Sequence, residues 1–367
     1  MRIQDIYLRS FRNYQELSLE FEPGVNLIVG DNAQGKTNLL EAISYLGCGK
    51  SFRAQRTAEM IRFGDDFAEI SGTVYSQERE QSLRWILFSG SRPRQIWRNG
   101  AKKKTAGDIA GVLPTVLFCP EDLMVLKTGA AQRRRMGDYV LCQLRPNYDA
   151  ALTEYNRILD QKSRILKDHF DNPSVLAILP EYNTRLCQVG ALLISYRARF
   201  YDSLGKSAGK FHNQFSGGIE DFTLDYKTVS TVTDPFAPVS ILTQQLMDHL
   251  DRHYRAELET AQCLTGPHKD DFSVALSGID LKAYGSQGQT RTAAISLKLA
   301  QREIMGREWG EEPVLLLDDV LSELDPGRQD FVLNQIVSGQ VFITCCEPGR
   351  FTKLGKTIEI EKGTVKK

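Results

Sequence analysis

The clearest chemistry in this chain of 367 residues lies in Gly30-Asp31-Asn32-Ala33-Gln34-Gly35-Lys36-Thr37. Two glycines five apart, followed by Lys and a hydroxyl residue, fit the phosphate-binding P-loop pattern. The flanks fit too. Val25-Asn26-Leu27-Ile28-Val29 is apolar and β-prone, and Asn38-Leu39-Leu40-Glu41-Ala42-Ile43 reads as the first turns of an amphipathic helix. A strand, a glycine loop and a helix N-terminus form a concave row of backbone N–H groups where a phosphate can sit. There Lys36 would reach the β- and γ-phosphates, and the Thr37 hydroxyl would ligate Mg2+. A glycine turn that binds nothing is the plain alternative, and the strand-loop-helix context speaks against it.

Two carboxylates supply the matching half of such a site. Pro313-Val314-Leu315-Leu316-Leu317 reads as a buried strand that ends in Asp318-Asp319. Parallel strands end at one sheet edge, so these side chains are expected beside Thr37. Asp318 is then the Mg2+ ligand, directly or through water, and Asp319 faces the attacking water as base or orienter. Taken alone, paired Asp after an apolar strand is often only a turn or a helix cap. A third polar stretch, Tyr284-Gly285-Ser286-Gln287-Gly288-Gln289, precedes a long helix expected from Thr290 to about Met305. A helix N-terminus with small residues is an anion site, although a Ser–Gly cap is also commonplace.

Positioning these groups takes several elements. Ile3, Ile6 and Leu8, then Leu17 to Phe21, read as two strands around Phe11-Arg12-Asn13-Tyr14, a hairpin loop with an aromatic plug. Residues 50–104 alternate short β-like runs with turns such as Asn99-Gly100, and carry twelve Lys/Arg against six Asp/Glu. Lys102-Lys103-Lys104 is a candidate phosphate-contacting patch or, equally, a charged loop protecting a sheet edge. Residues 130–212 show helical apolar spacing, broken near Asp171-Asn172-Pro173-Ser174, and a further helix is expected over about 238–264 after a loop at 213–237. Gln132-Arg133-Arg134-Arg135 opens this stretch, and Arg133 to Arg135 join the basic residues of 50–104 as candidate DNA contacts. The β pattern returns at Phe272 to Leu276. After Asp319 come a helix (Phe331, Val332, Ile336, Val337) and a last core strand from Val341 to Cys345.

Composition limits the classes. The chain is 41% hydrophobic and 25% charged, as soluble globular proteins are. No apolar run approaches the roughly 20 residues of a membrane helix, and the N-terminus has no signal-like apolar region. Seven cysteines without a Cys-x-x-Cys pair suit reduced thiols and a cytoplasmic location. Formal net charge is zero, so any nucleic-acid site must be a local patch.

Ser286-Gln287-Gly288-Gln289 resembles the signature motif of ABC-type ATPases, and Ser322-Glu323-Leu324-Asp325 sits where that class has its D-loop. Over nearly its whole length the chain resembles the RecF family of bacterial DNA replication and repair ATPases, relatives of SMC heads. The resemblance rests on Phe11-Arg12-Asn13-Tyr14, the P-loop, Gly49-Lys50-Ser51-Phe52-Arg53, Pro120-Glu121-Asp122-Leu123, Arg133-Arg134-Arg135 and Gly266-Pro267-His268-Lys269-Asp270-Asp271. The signature stretch and Leu317 to Asp325 complete it.

The resemblance implies an α/β fold, an ABC-type ATPase head with an inserted, mostly helical second domain. The halves of the head would be 1–118 and 265–367, and the insertion 119–264. It implies ATP and Mg2+ as cofactors, with Gly30 to Thr37, Arg12, Ser286 and Gly288 on the nucleotide. Asp319, Ser286 and Lys36 would serve catalysis, and Thr37 and Asp318 the metal. Ser286 and Gly288 would bind the γ-phosphate held by a second subunit. It further implies an ATP-dependent homodimer that clamps DNA at gaps or junctions without sequence preference, with RecR and RecO as partners. Asp319 in place of the usual Glu, and Thr344 in place of a switch His, imply slow or differently arranged hydrolysis, and the resemblance as a whole implies a weak DNA-stimulated ATPase acting as a switch. Pro120-Glu121-Asp122 is the candidate replacement for a Q-loop. A transporter ATPase would have a much shorter stretch between P-loop and signature. An SMC arm would need a long coiled coil, and Pro146, Pro173, Pro180, Pro235 and Pro238 interrupt this insertion. A nucleotide-binding module without turnover would not need the Asp pair.

Overall fold

The computed structural model describes residues 1–366 apart from Gln55, Val337 and Pro348. In chain order its elements are β1 (Arg2–Phe11), β2 (Tyr14–Glu20), β3 (Val25–Val29), α1 (Lys36–Cys48), β4 (Phe67–Ser76), β5 (Arg79–Phe88), β6 (Gln95–Arg98), β7 (Ala101–Lys103), β8 (Thr115–Phe118), α2 (Ala130–Leu144), α3 (Pro146–Asp168), α4 (Leu179–Ser216), β9 (Phe222–Lys227), α5 (Val239–Thr260), β10 (Asp271–Leu276), β11 (Ile279–Asp280), α6 (Leu281–Tyr284), α7 (Gln287–Trp309), β12 (Val314–Leu317), α8 (Pro326–Gln335), β13 (Val341–Cys345), β14 (Gly355–Glu361) and β15 (Thr364–Val365). They make two compact units, Met1–Leu123 joined to the chain from Ala294 onward, and Met124–Ala293.

The first unit contains two sheets. One is antiparallel, in the order β2-β1-β4-β5-β6-β7. A bulge between Ile3 and Asp5 resets the alternation of β1, which is why Ile3 and Ile6, three apart, are both fully buried. Arg98 pairs with Ala101 across Asn99-Gly100, both at positive φ, the two-residue turn that this dipeptide favours. The other sheet runs β15-β14-β3-β13-β12-β8, with β14, β3, β13, β12 and β8 parallel. Every residue of β8, β12 and β13 is buried, as their uninterrupted apolar runs require in a parallel sheet. Leu39, Leu40, Ile43 and Leu46 of α1 join Ile6, Ile70, Trp85, Phe342 and Ile358 in one core.

In the second unit, α4 packs against α3, α5 and β9, and β9 pairs with β10. Its limits differ from the expected 119 and 264. Antiparallel pairing is the reason: Phe272 lies opposite Tyr226 and Val274 opposite Leu224, so β10 belongs with the helical unit through β9. That strand lies in the stretch expected as a loop. Among the described residues no helix is long and apolar enough to cross a membrane, and all seven cysteines are free. The helix expected to reach Val337 is α8, which ends at Gln335; Val337 lies outside the described residues.

Candidate nucleotide-binding site

The loop between β3 and α1 is set by contacts from three directions. Gly30 lies against β14, where an added Cβ would stand 2.3 Å from the Ile360 carbonyl oxygen. Gly35 has φ +120, and an added Cβ would meet the Asn13 amide at 2.7 Å, so glycine is required there on both counts. The β1–β2 hairpin tip holds the loop: Asn13 Nδ2 donates to the Gln34 carbonyl at 2.8 Å, and Tyr14 Oη to the Gly35 carbonyl at 2.9 Å. The Gly363 amide donates to the Gln34 carbonyl at 3.1 Å. Gly35 begins α1 with no side-chain cap and no acidic residue in the first turn, which leaves amides directed at an anion.

Lys36 is buried, and its Nζ donates to the carbonyls of Gly30 (2.7 Å) and Asp31 (3.2 Å) and to Cys346 Sγ (3.3 Å). The Cys346 thiol in turn donates to Asn32 Oδ1. Asp31, Asn32 and Ala33 are exposed. β13 stands between β3 and β12, so the P-loop and the Asp pair leave the same edge of the sheet. Thr37 Oγ1 donates to Asp318 Oδ1 at 2.9 Å, and Thr344 Oγ1 donates to the same oxygen at 3.0 Å. Burial pushes the Asp318 carboxyl above its ordinary range, against the two hydroxyl bonds and the more distant positive charge of Arg53. Asp319 sits at φ +50, a left-handed position that strains a non-glycine backbone, and its amide donates to Thr344 Oγ1 at 2.8 Å.

A hydroxyl and a carboxylate in contact are the donor set Mg2+ takes in such loops, where phosphates and water complete the shell. Among the described residues no group of three or more His, Cys, Asp or Glu forms a closed metal cage.

The remaining expected residues make contacts of their own. Arg12, expected on the nucleotide, forks onto buried Glu41 (2.8 and 2.7 Å) and donates to the Glu59 carbonyl. Ser51 also donates to Glu41, and Arg53 Nη1 reaches Asn38 Oδ1 at 3.1 Å, so the 51–53 segment is tied to the P-loop helix. Residue type alone gives Arg53 no role; its closeness to the Asp pair is visible only in three dimensions. Asp122 of the Pro120 corner pairs with Lys298 at 2.8 Å, and Asp325 caps α8 through the Arg328 amide. Arg133 is buried and paired with Asp271 (2.5 and 2.8 Å), which removes it from the candidate DNA contacts. Lys102 and Lys104 are exposed on or beside the edge strand β7. In the second unit Ser286 caps α7: its Oγ accepts the Gln289 amide at 3.2 Å, and Gln289 Oε1 accepts the Ser286 amide at 3.1 Å. This reciprocal capping box starts the helix at Gln287 rather than Thr290, and places Gly288 in its first turn.

The model of the RecF/RecN/SMC N terminal domain matches residues 2–366. The chain belongs to the RecF family. It is 38% identical to the DNA replication and repair protein RecF of Agathobacter rectalis, over 100% of this chain and 99% of that one. Two solved structures of the recombination mediator protein RecF in the RecFOR pathway are similar. RecF-ATPrS has a TM-score of 0.91 at 33% identity, covering 99% of this chain and 97% of that one. RecF-ATP has a TM-score of 0.89 at 34% identity, covering 99% and 96%. The fold is an ABC-type ATPase head of the RecF and SMC class.

Proposed function

We propose that this chain acts in DNA replication and repair as an ATP-gated homodimer that clamps DNA at gaps or junctions. The observation that carries the reading is the contact of Thr37 with Asp318 beside a buried P-loop lysine. Gly30 to Thr37 wrap the triphosphate, and Lys36 turns from its loop carbonyls to the β- and γ-phosphates. Thr37 and Asp318 hold Mg2+, which neutralises phosphate charge when bound. Asp319 orients the attacking water, and Arg12, held by Glu41 at the hairpin tip that supports the loop, joins the residues on the nucleotide.

Ser286 and Gly288 meet the nucleotide of a second copy. The Ser286 hydroxyl accepts from its own helix and keeps a proton to donate, as a γ-phosphate oxygen requires. Because the contacts of Ser286 and Gly288 with the γ-phosphate form only in the closed dimer, ATP favours that state over ADP. Hydrolysis is slow and serves as the release signal. RecO and RecR are the expected partners, from the pathway named for the similar RecF structures, and the location is cytoplasmic.

Sizing in solution tests this directly. A monomer with ADP and a dimer with ATP plus Mg2+ are expected, with Lys36→Ala abolishing the dimer. Ser286→Arg should bind ATP as a monomer and fail to dimerise. If its monomer loses nucleotide affinity instead, Ser286 serves its own site and the reading in trans is wrong.

A further inference from the structure

A polar chain runs into the signature loop from the helical unit. Gln289 Nε2 donates to Glu220 Oε1 at 2.8 Å, and the other oxygen of that carboxylate meets His212 Nε2 at 2.9 Å. His212 lies in the last turns of α4, fully buried, its ring tilted against Phe222 at 5.5 Å. Gly217 ends that helix in the left-handed conformation, and the chain reaches Glu220 directly after it. At the far end of the chain of contacts stands the capping box, in which Gln289 Oε1 holds the Ser286 amide.

An exposed glutamine samples many rotamers, and few of them bring Oε1 onto the helix cap. A carboxylate that takes the Nε2 side of the same amide selects among them. It also fixes which end of the amide is oxygen. Glu220 is suited to this. Its carboxyl is held below the ordinary range, chiefly by the Gln289 amide and further by His212, so it accepts from both. His212 in turn is anchored by burial, which gives the partly exposed Glu220 a fixed point.

We infer that Glu220 is a positioning residue for the signature loop: braced by His212, it fixes the Gln289 side chain and so sets the direction in which Ser286 meets a second copy's nucleotide. The inference rests on the reading of Ser286 in trans. It makes the end of α4, a helix of the insertion, part of what aligns the signature.

The test is ATP- and Mg2+-dependent self-association of the full chain, measured beside monomer nucleotide affinity and thermal midpoint. Glu220→Ala and Gln289→Ala should each weaken association about tenfold, the weight of one such hydrogen bond to a charged group. Monomer affinity should stay at the wild-type value in both and the midpoint in Glu220→Ala, whereas Gln289→Ala also removes the cap on the Ser286 amide and should lower the midpoint slightly. The double variant should lose no more association than Gln289→Ala alone, because Glu220 acts on the loop only through Gln289. Glu220→Gln, which keeps an acceptor oxygen for Gln289, should retain most of the association. Ser286→Arg, run alongside, separates the two possible failures. If it still dimerises, the reading in trans falls and this inference falls with it. If it blocks the dimer while Glu220→Ala and Gln289→Ala associate as wild type, or if their losses add, only the positioning role is overturned. A fall in the midpoint or monomer affinity of Glu220→Ala would mark Glu220 as merely structural, and would also overturn it.

Discussion

Thr344 Oγ1 donates to Asp318 Oδ1 and accepts the Asp319 amide, so one hydroxyl fixes the direction of the first carboxylate and the strained backbone of the second residue. Thr344→Val keeps the shape and removes both bonds. A buried group left without its partner costs roughly 1–3 kcal/mol, so the urea midpoint should fall accordingly. ATP turnover should fall with it, while an unchanged midpoint would mean that water replaces the hydroxyl. His268 offers a pH test at the same scale. Burial, assisted by Lys269, Arg134 and Lys162, pushes its imidazole down to about 4. The neutral ring is satisfied on both sides, with Tyr155 Oη at Nδ1 (2.7 Å) and the Cys263 carbonyl at Nε2 (3.0 Å). Above the ordinary histidine value neither the folded nor the unfolded chain protonates it. As pH falls from about 6.5 towards 4, the unfolded chain takes up a proton that the folded one refuses, and stability is lost. The advantage of wild type over His268→Gln should therefore shrink by about 2 kcal/mol between pH 7 and pH 5. Equal pH slopes for the two proteins in urea would show that the ring is solvated when folded.

Elements whose sequence carries a strong period or an uninterrupted apolar run form where expected: β3, β12 and β13, with the P-loop and Asp318 delivered to one sheet edge. The aromatic hairpin tip is legible as a turn, but not as the brace of the P-loop, because nothing in Asn13 marks a partner twenty residues away. β9 escapes a sequence reading although Phe222, Leu224 and Tyr226 alternate, since neighbouring Gly217-Gly218 and prolines make the stretch read as a loop. Without β9 the domain limit is displaced as well. The three arginines opening α2 look alike in sequence, yet Arg133 is buried, Arg134 donates to the Asp270 carbonyl and Arg135 is exposed. Charge count alone cannot separate an internal ion pair from a surface that meets phosphate. Arg133→Met should thus cost roughly 1–3 kcal/mol by leaving two carbonyls without their donor and Asp271 without its cation, as measured by urea unfolding. Replacing Lys102, Lys103 and Lys104 together by Ala should leave stability nearly unchanged and flatten the salt dependence of DNA binding. A wild-type salt slope in that variant would move the DNA contact away from the β7 edge.

At the scale of the whole molecule, the proposed function asks the site to convert nucleotide state into a grip on DNA, and in that proposal Asp318 and Asp319 divide the work. Asp318 already shares a hydrogen with Thr37, whereas Asp319 is half-buried and turned by its left-handed backbone. In Asp319→Asn, metal and ATP binding should persist while the acceptor for the proton of the attacking water is gone. Turnover should drop by roughly 10²–10⁴-fold, the usual contribution of a positioned base. If hydrolysis is what opens the dimer, this variant should accumulate as an ATP-bound dimer on DNA and leave it more slowly. Asp318→Asn should behave in the opposite way, losing Mg2+-dependent nucleotide binding and with it both dimerisation and the stable DNA complex. Exchanged phenotypes would make Asp319 the metal ligand. ATP turnover and DNA off-rate measured on both variants decide the matter, because a slow off-rate with abolished turnover arises only if binding closes the dimer and hydrolysis releases it. Were the two variants to leave DNA equally fast, nucleotide state would not control the grip, and the chain would bind DNA by its basic edge alone.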